Sequence, residues 1–281
     1  MRIVITCGYP TSLHAVALIT MAARQGHDVL GCLAASLYNW KRIRRELWQN
    51  GLELLRAKIR NRLITGTRQP DPELENIKKF LASNRIDFAR VREACAAVGA
   101  GYFNVPHLNH PKSIAYLKQI QPDLVIYAGG GILRRPFLAI PKIGTVNAHS
   151  GPLPHFRGMN AVEWTAFYGI NPMLTIHFIE PGIDTGPILE RIPIEVEPGD
   201  GLPKLRGKAV LLGVQSILNM LPRLESGTCR PVPQDPDGGR QFFRMTPELA
   251  AIAEMRLKNA PLRQYSPESF DFAKTWFHEK E

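Results

Sequence analysis

The first part of the chain alternates short apolar runs with stretches of helical periodicity. The run Arg2–Thr6 is rich in β-branched residues and predicts a buried strand. Residues Ser12–Gln25 predict a helix that ends at Gly26, and Asp28–Ala34 predicts a second strand. A strand, a helix and a strand at this spacing form a βαβ unit, so we expect the chain to begin with part of a parallel sheet.

Apolar runs of strand length recur further along the chain and extend the predicted sheet. They are Asp123–Ala128, Ile143–Val146, Leu174–Ile179 and Ile188–Val196. The pattern is typical of the α/β class and predicts an open, mostly parallel, Rossmann-like sheet with helices on both faces. We assign residues 1–198 to this domain.

The pattern changes after about residue 199, where we expect a small C-terminal α+β extension over residues 199–281. Its predicted elements are a helix over Leu205–Leu221, a loop over Pro231–Gly239, a strand over Gly239–Met245 and a helix from the N-cap Thr246 to about Lys258. The final twenty or so residues are polar and are expected to be loosely held.

One segment of the predicted domain is strongly basic. Residues 38–70 hold nine Lys and Arg against two Glu, which is +7 of the chain's formal charge of +10. Their apolar residues recur at steps of three and four, which predicts an amphipathic helix, or a helical hairpin broken near Asn50-Gly51, inserted into the domain. Trp40 and Trp48 add aromatic surface.

The sequence leaves several interpretations of this basic segment open. It is either an insertion whose cations face water, or a contact for an anionic acceptor, for a membrane surface or partner, or for tRNA. Because the rest of the chain is nearly neutral, the overall charge is weak evidence for a nucleic-acid binder.

Composition and cysteine content set further bounds. The chain is 44% hydrophobic and 21% charged, which is typical of a globular protein and excludes disorder throughout. The four cysteines are scattered without a CxxC pair, which argues against a disulfide framework or a cysteine zinc site and suits the cytoplasm. No apolar window approaches the ~18 residues of a membrane span. We expect a cytoplasmic protein, with peripheral membrane contact through residues 38–70 as an open alternative.

The residues best suited to catalysis follow two of the predicted strands. Asn147 and His149 are two positions apart, so in an extended chain their side chains point to the same side. A second loop, Glu180–Pro187, places Asp184 between two glycines. An amide, an imidazole and a carboxylate suit acyl transfer, because the carboxylate orients the imidazole, the imidazole moves a proton and the amide N–H stabilises an oxyanion.

These two loops resemble those of a known family, the 10-formyltetrahydrofolate-dependent formyltransferases. The signature of that family is Asn-x-His-x-Ser-Leu-Leu-Pro, followed by Arg/Lys-Gly and a downstream Asp-Thr-Gly or Asp-Gly-Gly loop. The matching residues here are Asn147, His149, Leu153, Pro154, Arg157, Gly158, Asp184, Thr185 and Gly186. Gly151-Pro152 departs from the usual Ser-Leu of the signature.

The resemblance implies the formyltransferase fold and 10-formyltetrahydrofolate as co-substrate, with no metal. His107 and His110 are three apart, but without further ligands they do not predict a metal site. The implied site residues are Asn147, His149 and Asp184 for catalysis; Gly130, Gly131, Ile132, Leu133, Gly182 and Ile183 for the folate; and Tyr9, Arg157, Asn160 and His177 for the substrate.

The resemblance also implies a primary amine as acceptor. We expect an anionic small molecule, an amino sugar on a nucleotide carrier, because His177-Phe178 resembles the purine and sugar branches of the family. Gly8-Tyr9-Pro10 lacks the phosphate loop of the purine enzyme. The alternatives are a methionyl-tRNA formyltransferase, although tRNA is not the acceptor we expect, a formyltetrahydrofolate hydrolase, and a non-catalytic binding module. The strand around Gln241–Arg244 is a candidate homodimer interface.

Overall fold

A computed structural model describes residues 1–35, 71–235, 237–259 and 261–272. The basic segment 38–70, with its predicted helix, lies outside these residues. The strands are β1 (Arg2–Cys7), β2 (Asp28–Ala35), β3 (Gly101–Val105), β4 (Leu124–Ala128), β5 (Gly144–His149), β6 (Phe156–Gly158), β7 (Met173–Phe178), β8 (Ile188–Pro193) and β9 (Arg240–Phe242). The helices are α1 (Leu13–Arg24), α2 (Pro72–Ser83), α3 (Val91–Ala97), α4 (Pro111–Ile120), α5 (Arg135–Leu138), α6 (Ala161–Phe167), α7 (Leu202–Glu225) and α8 (Pro247–Asn259).

Seven of these strands form one mostly parallel sheet, which confirms the predicted α/β class. Their order is β3-β2-β1-β4-β5-β7-β8, and β7 and β8 run antiparallel to their neighbours. The chain winds outward from β1 to β3 and then returns to β4 on the other side of β1. Open sheets bind ligands at the carboxyl ends of the strands beside such a change of direction.

The sheet is covered on both faces. Successive residues of β1 point to opposite sides, so that Ile3 and Ile5 join one apolar cluster and Val4 joins the other. Helix α7 contributes Leu205 and Ala209 to the first cluster, although it lies in the predicted C-terminal extension. Residues on both sides of position 199 therefore share a core. None of the helices in the described part of the chain is long and apolar enough to cross a membrane.

Two short strands hold the C-terminal segment against the chain that follows β5. β6 pairs in parallel with β9, with Gly158 opposite Phe242. The approach is close: a Cβ atom on Gly158 would lie 2.2 Å from the Phe242 carbonyl oxygen, and one on Gly239 would lie 1.9 Å from that of Pro154. Glycine is therefore required at both positions.

Several elements differ from the sequence expectation. β5 extends through His149 rather than ending at Val146, and β8 ends at Pro193 rather than Val196. No element was predicted over β3, which has a mixed polar pattern. The expectation of a loosely held terminus is wrong for its first part, because the phenolic oxygen of Tyr265 lies 2.6 Å from Nδ1 of His155 and Phe270 packs beside the same ring.

Candidate active site

A cleft of about 590 Å³ lies at the carboxyl ends of β4 and β5. Its walls come from the loop after β4, from β5, from the loop after β7 and from residues 241–243. Asn147 and His149 of β5 both line the cleft, as their two-residue spacing predicts.

The side chain of Asn147 is fixed by a buried histidine. Its Nδ2 lies 3.1 Å from Nε2 of His177, and Nδ1 of His177 lies 2.8 Å from the carbonyl oxygen of Phe178. Burial, followed by the charge of His149, lowers the pKa of His177 to about 4, so this ring is neutral near pH 7. Because a carbonyl oxygen only accepts, Nδ1 carries the single hydrogen and Nε2 accepts a hydrogen bond from Asn147.

His149 is held between a backbone carbonyl and a carboxylate. Its Nε2 donates to the carbonyl oxygen of Phe156 at 2.7 Å, and its Nδ1 lies 3.6 Å from Oδ2 of Asp184. The residue is only 7% exposed, so a charge that forms on its ring is poorly screened by water and interacts strongly with the carboxylate.

Asp184 reaches this position through a loop that folds back on itself. β7 runs antiparallel to β5 and ends beside Val146, so the loop after it must return along the sheet to meet His149. Asp184 adopts a left-handed backbone conformation with φ of 53°. The N–H of Gly158 donates to its Oδ2 at 2.8 Å, and its Oδ1 lies 3.7 Å from Nε2 of His177. The carboxylate thus lies between the two histidines.

The loop after β4 is held by two side chains that the sequence did not single out. The Tyr127 hydroxyl donates to the carbonyl oxygen of Gly131 at 3.0 Å and accepts from its N–H at 3.1 Å. Nδ2 of Asn109 donates to the carbonyl oxygen of Ile132 at 2.7 Å. The loop after β4 is therefore fixed, and it lines the same cleft as Gly182–Asp184 of the 180–187 loop.

Five of the six residues predicted for the folate line the cleft. They are Gly131, Ile132, Leu133, Gly182 and Ile183. Gly130 does not line it, and a Cβ atom there would lie 2.6 Å from a side-chain carbon of Leu108, so its role is to let the loop pack closely.

None of the four residues predicted to bind the substrate lines this cleft. His177 is fully buried and contacts Asn147 instead of lining the cleft, so in this structure it lies behind the proposed catalytic amide. Arg157 donates to the carbonyl oxygen of Gly239, and Asn160 donates to Glu163, so both brace the fold. Tyr9 is 48% exposed in the turn after β1 and does not line the cleft.

The structure adds lining residues from a distant part of the sequence. Gln241, Phe242 and Phe243 reach the cleft because β9 pairs with β6, and Met159 joins them from the turn after β6. Phe243 and Met159 are 69% and 55% exposed. The one available signal was that residues 241–243 lie within a predicted strand. The partner of that strand is not visible in one sequence.

The arrangement combines an oriented amide donor, a buried imidazole and a carboxylate at the edge of one cleft. These groups can stabilise an oxyanion and transfer a proton at a carbonyl carbon, which defines an acyl-transfer type of site. Residues 75–220 match the formyl transferase family, and the chain belongs to that family.

Known proteins are similar to this chain in sequence and in fold. The methionyl-tRNA formyltransferase of Myxococcus xanthus is 31% identical over 157 residues, which are 55% of this chain and 50% of that protein. The corresponding protein of Roseiflexus castenholzii is 32% identical over 186 residues, which are 66% of this chain and 58% of that protein. The chain thus spans about half the length of the curated relatives it matches.

Two solved structures illustrate the shared fold. Glycinamide ribonucleotide transformylase 1 from Symbiobacterium toebii superposes with a TM-score of 0.56 at 18% identity, over 84% of this chain and 94% of that one. A sugar N-formyltransferase from Shewanella sp. superposes with a TM-score of 0.56 at 12% identity, over 96% of this chain and 94% of that one.

Proposed function

We propose that this protein is a folate-dependent N-formyltransferase that moves the formyl group of 10-formyltetrahydrofolate to a primary amine of a small molecule. The observation that carries the proposal is the convergence of Asn147, His149 and Asp184 beside one cleft in a member of the formyl transferase family. The three residues are the proposed catalytic groups.

The residues around the cleft fit the proposed donor. Gly131–Leu133 and Gly182–Ile183 supply backbone on two sides. A largely apolar groove of about 590 Å³ adjoins the cleft at Ile179. Thr145 lines this groove, and its buried hydroxyl has no hydrogen-bond partner among the residues that the structure describes. A flat heterocycle with polar atoms at its edge suits such a groove.

The chemistry follows from the placement of the three groups. The donor supplies, when bound, a formyl carbon attached to a nitrogen leaving group. The acceptor amine adds to that carbon, the formyl oxygen takes up the negative charge, and the bond to the leaving nitrogen then breaks. The second N–H of Asn147 donates to the oxyanion. A protonated His149 stabilises it through its positive charge, because both of its ring nitrogens already face other partners. Asp184 holds His149 and accepts the proton that the amine loses, and this proton finally resides on the leaving nitrogen.

We propose an amino sugar on a nucleotide carrier as the acceptor. A smaller cavity of about 180 Å³ lies beside the end of β5 and is lined by His14, Ser150 and Arg206 together with Glu73. Arg206 is paired with Glu73 and Glu163, so the cavity suits sugar hydroxyls better than a phosphate. The exposed faces of Phe243 and Met159 offer a surface on which a base can stack.

A methionyl-tRNA formyltransferase is the second candidate. It is supported by the curated relatives named above, which are about 31% identical over half of their length. The acceptor decides between the two candidates, because both use the same donor and the same proposed catalytic groups.

The test is a formyl-transfer assay with 10-formyltetrahydrofolate and a panel of amino-sugar nucleotides, with charged initiator tRNA as a parallel acceptor. Formylation of a sugar nucleotide supports the first candidate, and formylation of the tRNA supports the second. Release of formate without any acceptor favours a hydrolase. Absence of all three activities in folded protein contradicts the proposed function.

The location and partners are part of the same proposal. We place the protein in the cytoplasm because its four cysteines are free, and we assign residues 38–70 a contact with a membrane surface, a partner or the anionic part of the acceptor. Co-sedimentation with anionic liposomes, compared between the full chain and a 38–70 deletion, tests the membrane contact. Equal binding by the two proteins would contradict that contact. A homodimer through residues 241–244 is tested by light scattering.

A further inference from the structure

The loop that carries Asp184 is held by a side chain outside the region that matches the family. Gln234 lies in the segment after α7, fourteen residues beyond the matched region 75–220. Its Nε2 donates to the carbonyl oxygen of Asp184 at 3.0 Å and also to the carbonyl oxygen of Gly186. One amide group therefore joins two carbonyls of the same turn, one of them on the proposed catalytic residue itself.

The turn needs such support because its backbone is unusual. Asp184 has a left-handed φ of 53°, which costs free energy for a residue with a Cβ atom. A conformation of this kind persists only where surrounding contacts hold it. Gly186 makes the turn tighter still, because a Cβ atom there would lie 2.0 Å from the carbonyl oxygen of Phe178.

The contact is also specific to the amide nitrogen of Gln234. Its Oε1 is buried and has no hydrogen-bond partner in the described part of the chain. Both loop groups that face Gln234 are carbonyl oxygens, which only accept hydrogen bonds. A carboxylate of the same size would place oxygen against oxygen at this point.

The same segment reaches the other side of the site. The N–H of Gly158, which donates to the carboxylate of Asp184, is held in place by the pairing of β6 with β9. The N–H of Met159 donates to the carbonyl oxygen of Phe242 at 3.0 Å. Gln234 and Phe242 thus support Asp184 both through its own backbone and through the amide that its side chain accepts from.

We infer that Gln234 is a positioning residue for Asp184: its amide nitrogen holds the Asp184–Gly186 turn so that the carboxylate stays next to His149. The inference rests on the proposed function, because it assigns Asp184 the task of holding His149 and receiving the amine proton. Gln234 does not line the cleft, so its effect on turnover is indirect.

The kinetic test compares Gln234→Ala and Gln234→Glu with the wild type. A displacement of about 1 Å in a catalytic group can cost about 10²-fold in rate, so we expect kcat to fall 10- to 100-fold in Gln234→Ala. KM for donor and acceptor should change less than threefold, because the side chain contacts neither. Gln119→Ala, at an exposed glutamine on α4, is the matched control and should behave as wild type.

The Gln234→Glu variant gives a signature that a merely structural role would not produce. Its carboxylate repels both carbonyls at neutral pH, so its kcat should lie below that of Gln234→Ala. Protonation restores one donor, so its kcat relative to Gln234→Ala should rise as the pH is lowered towards 5. A ratio that is independent of pH overturns the inference. Where Gln234→Ala fails to fold, the kcat of Gln234→Glu relative to the wild type takes its place, and a pH-independent value of that ratio overturns the inference in the same way.

Hydrogen exchange of residues 179–187 gives a readout that does not depend on activity. Faster exchange there in Gln234→Ala, with unchanged exchange in Gln119→Ala, supports the inference. Wild-type exchange in this loop, or a kcat within twofold of wild type, overturns it. If the wild-type protein transfers no formyl group, the proposed function fails separately, and exchange alone then decides whether Gln234 holds the turn.

Discussion

Asn147 and His177 form a hydrogen-bonded pair in which the orientation of the amide is dictated by the histidine. The neutral ring of His177 uses its Nδ1 hydrogen for the carbonyl oxygen of Phe178, so only Nε2 is free to accept from Asn147 3.1 Å away. The second N–H of Asn147 therefore remains available to the cleft, which Asn147 lines.

Removing the acceptor on His177 should weaken catalysis. In His177→Phe the amide of Asn147 loses its partner in a part-buried position, which costs about 1–3 kcal/mol and frees the amide to rotate. We expect kcat to fall about 10- to 100-fold. His177→Gln retains an oxygen that can accept and should keep more of the activity. Equal kcat in the two variants would contradict this role for the histidine.

His177 should also contribute to the pH dependence of stability. Burial lowers its pKa from an ordinary value of 6.5 to about 4, so between these two values the unfolded chain binds a proton that the native protein does not. The free energy of unfolding should therefore decrease as the pH falls from 6.5 to 4, by up to about 1.4 kcal/mol per pH unit for this one group.

Urea unfolding of wild type and His177→Gln at several pH values between 4 and 6.5 measures this contribution. The slope of the free energy of unfolding against pH should be smaller in the variant, by the equivalent of about one bound proton. It should not vanish, because burial also lowers the pKa of His14 to about 4. The same slope in both proteins would show that His177 is not the titrating group.

The proposed catalytic groups can be tested while the fold is kept. Asp184→Asn retains an oxygen that accepts from the N–H of Gly158, so the turn should persist while the negative charge is lost. General acid–base groups contribute about 10²–10⁴-fold to the rate. We therefore expect kcat to fall by at least about 10²-fold in Asp184→Asn and in His149→Ala. Circular dichroism checks folding, and wild-type turnover in either folded variant would contradict the catalytic role of that residue.

Gly158 should tolerate no side chain. Gly158→Ala forces a Cβ atom into a backbone with φ of 98° and into contact with the carbonyl oxygen of Phe242, so we expect a loss of about 1–3 kcal/mol in stability and reduced activity. Gly227→Ala is the matched control, because Gly227 also has a positive φ, of 67°, but has open space around it.

The comparison of these two glycine variants separates the strain of the backbone from the contact with β9. Gly227→Ala should lose only about 1 kcal/mol and should keep wild-type kcat. If Gly158→Ala behaved in the same way, the close approach of β9 to the active site would have no functional importance.

Part of the site was accessible from the sequence because it depends on local chain geometry. The period of two along a strand placed Asn147 and His149 on one side, and the structure places both in the cleft. The period does not show which neighbours surround a residue, so His177 was expected at the substrate although it is buried behind Asn147. Nor does it show that Arg157 donates to Gly239 and Asn160 to Glu163.

The sequence by itself determined the class of sheet, the first strands and the pair on β5, since these depend on short-range periodicity and residue type. Only the tertiary structure showed that Gln234 and Gly158 contact Asp184 and that Phe243 lines the cleft. Their positions depend on the antiparallel insertion of β7 and on the pairing of β6 with β9. Such contacts join residues far apart in the chain, and their geometry arises from packing of the whole fold, which no local pattern encodes.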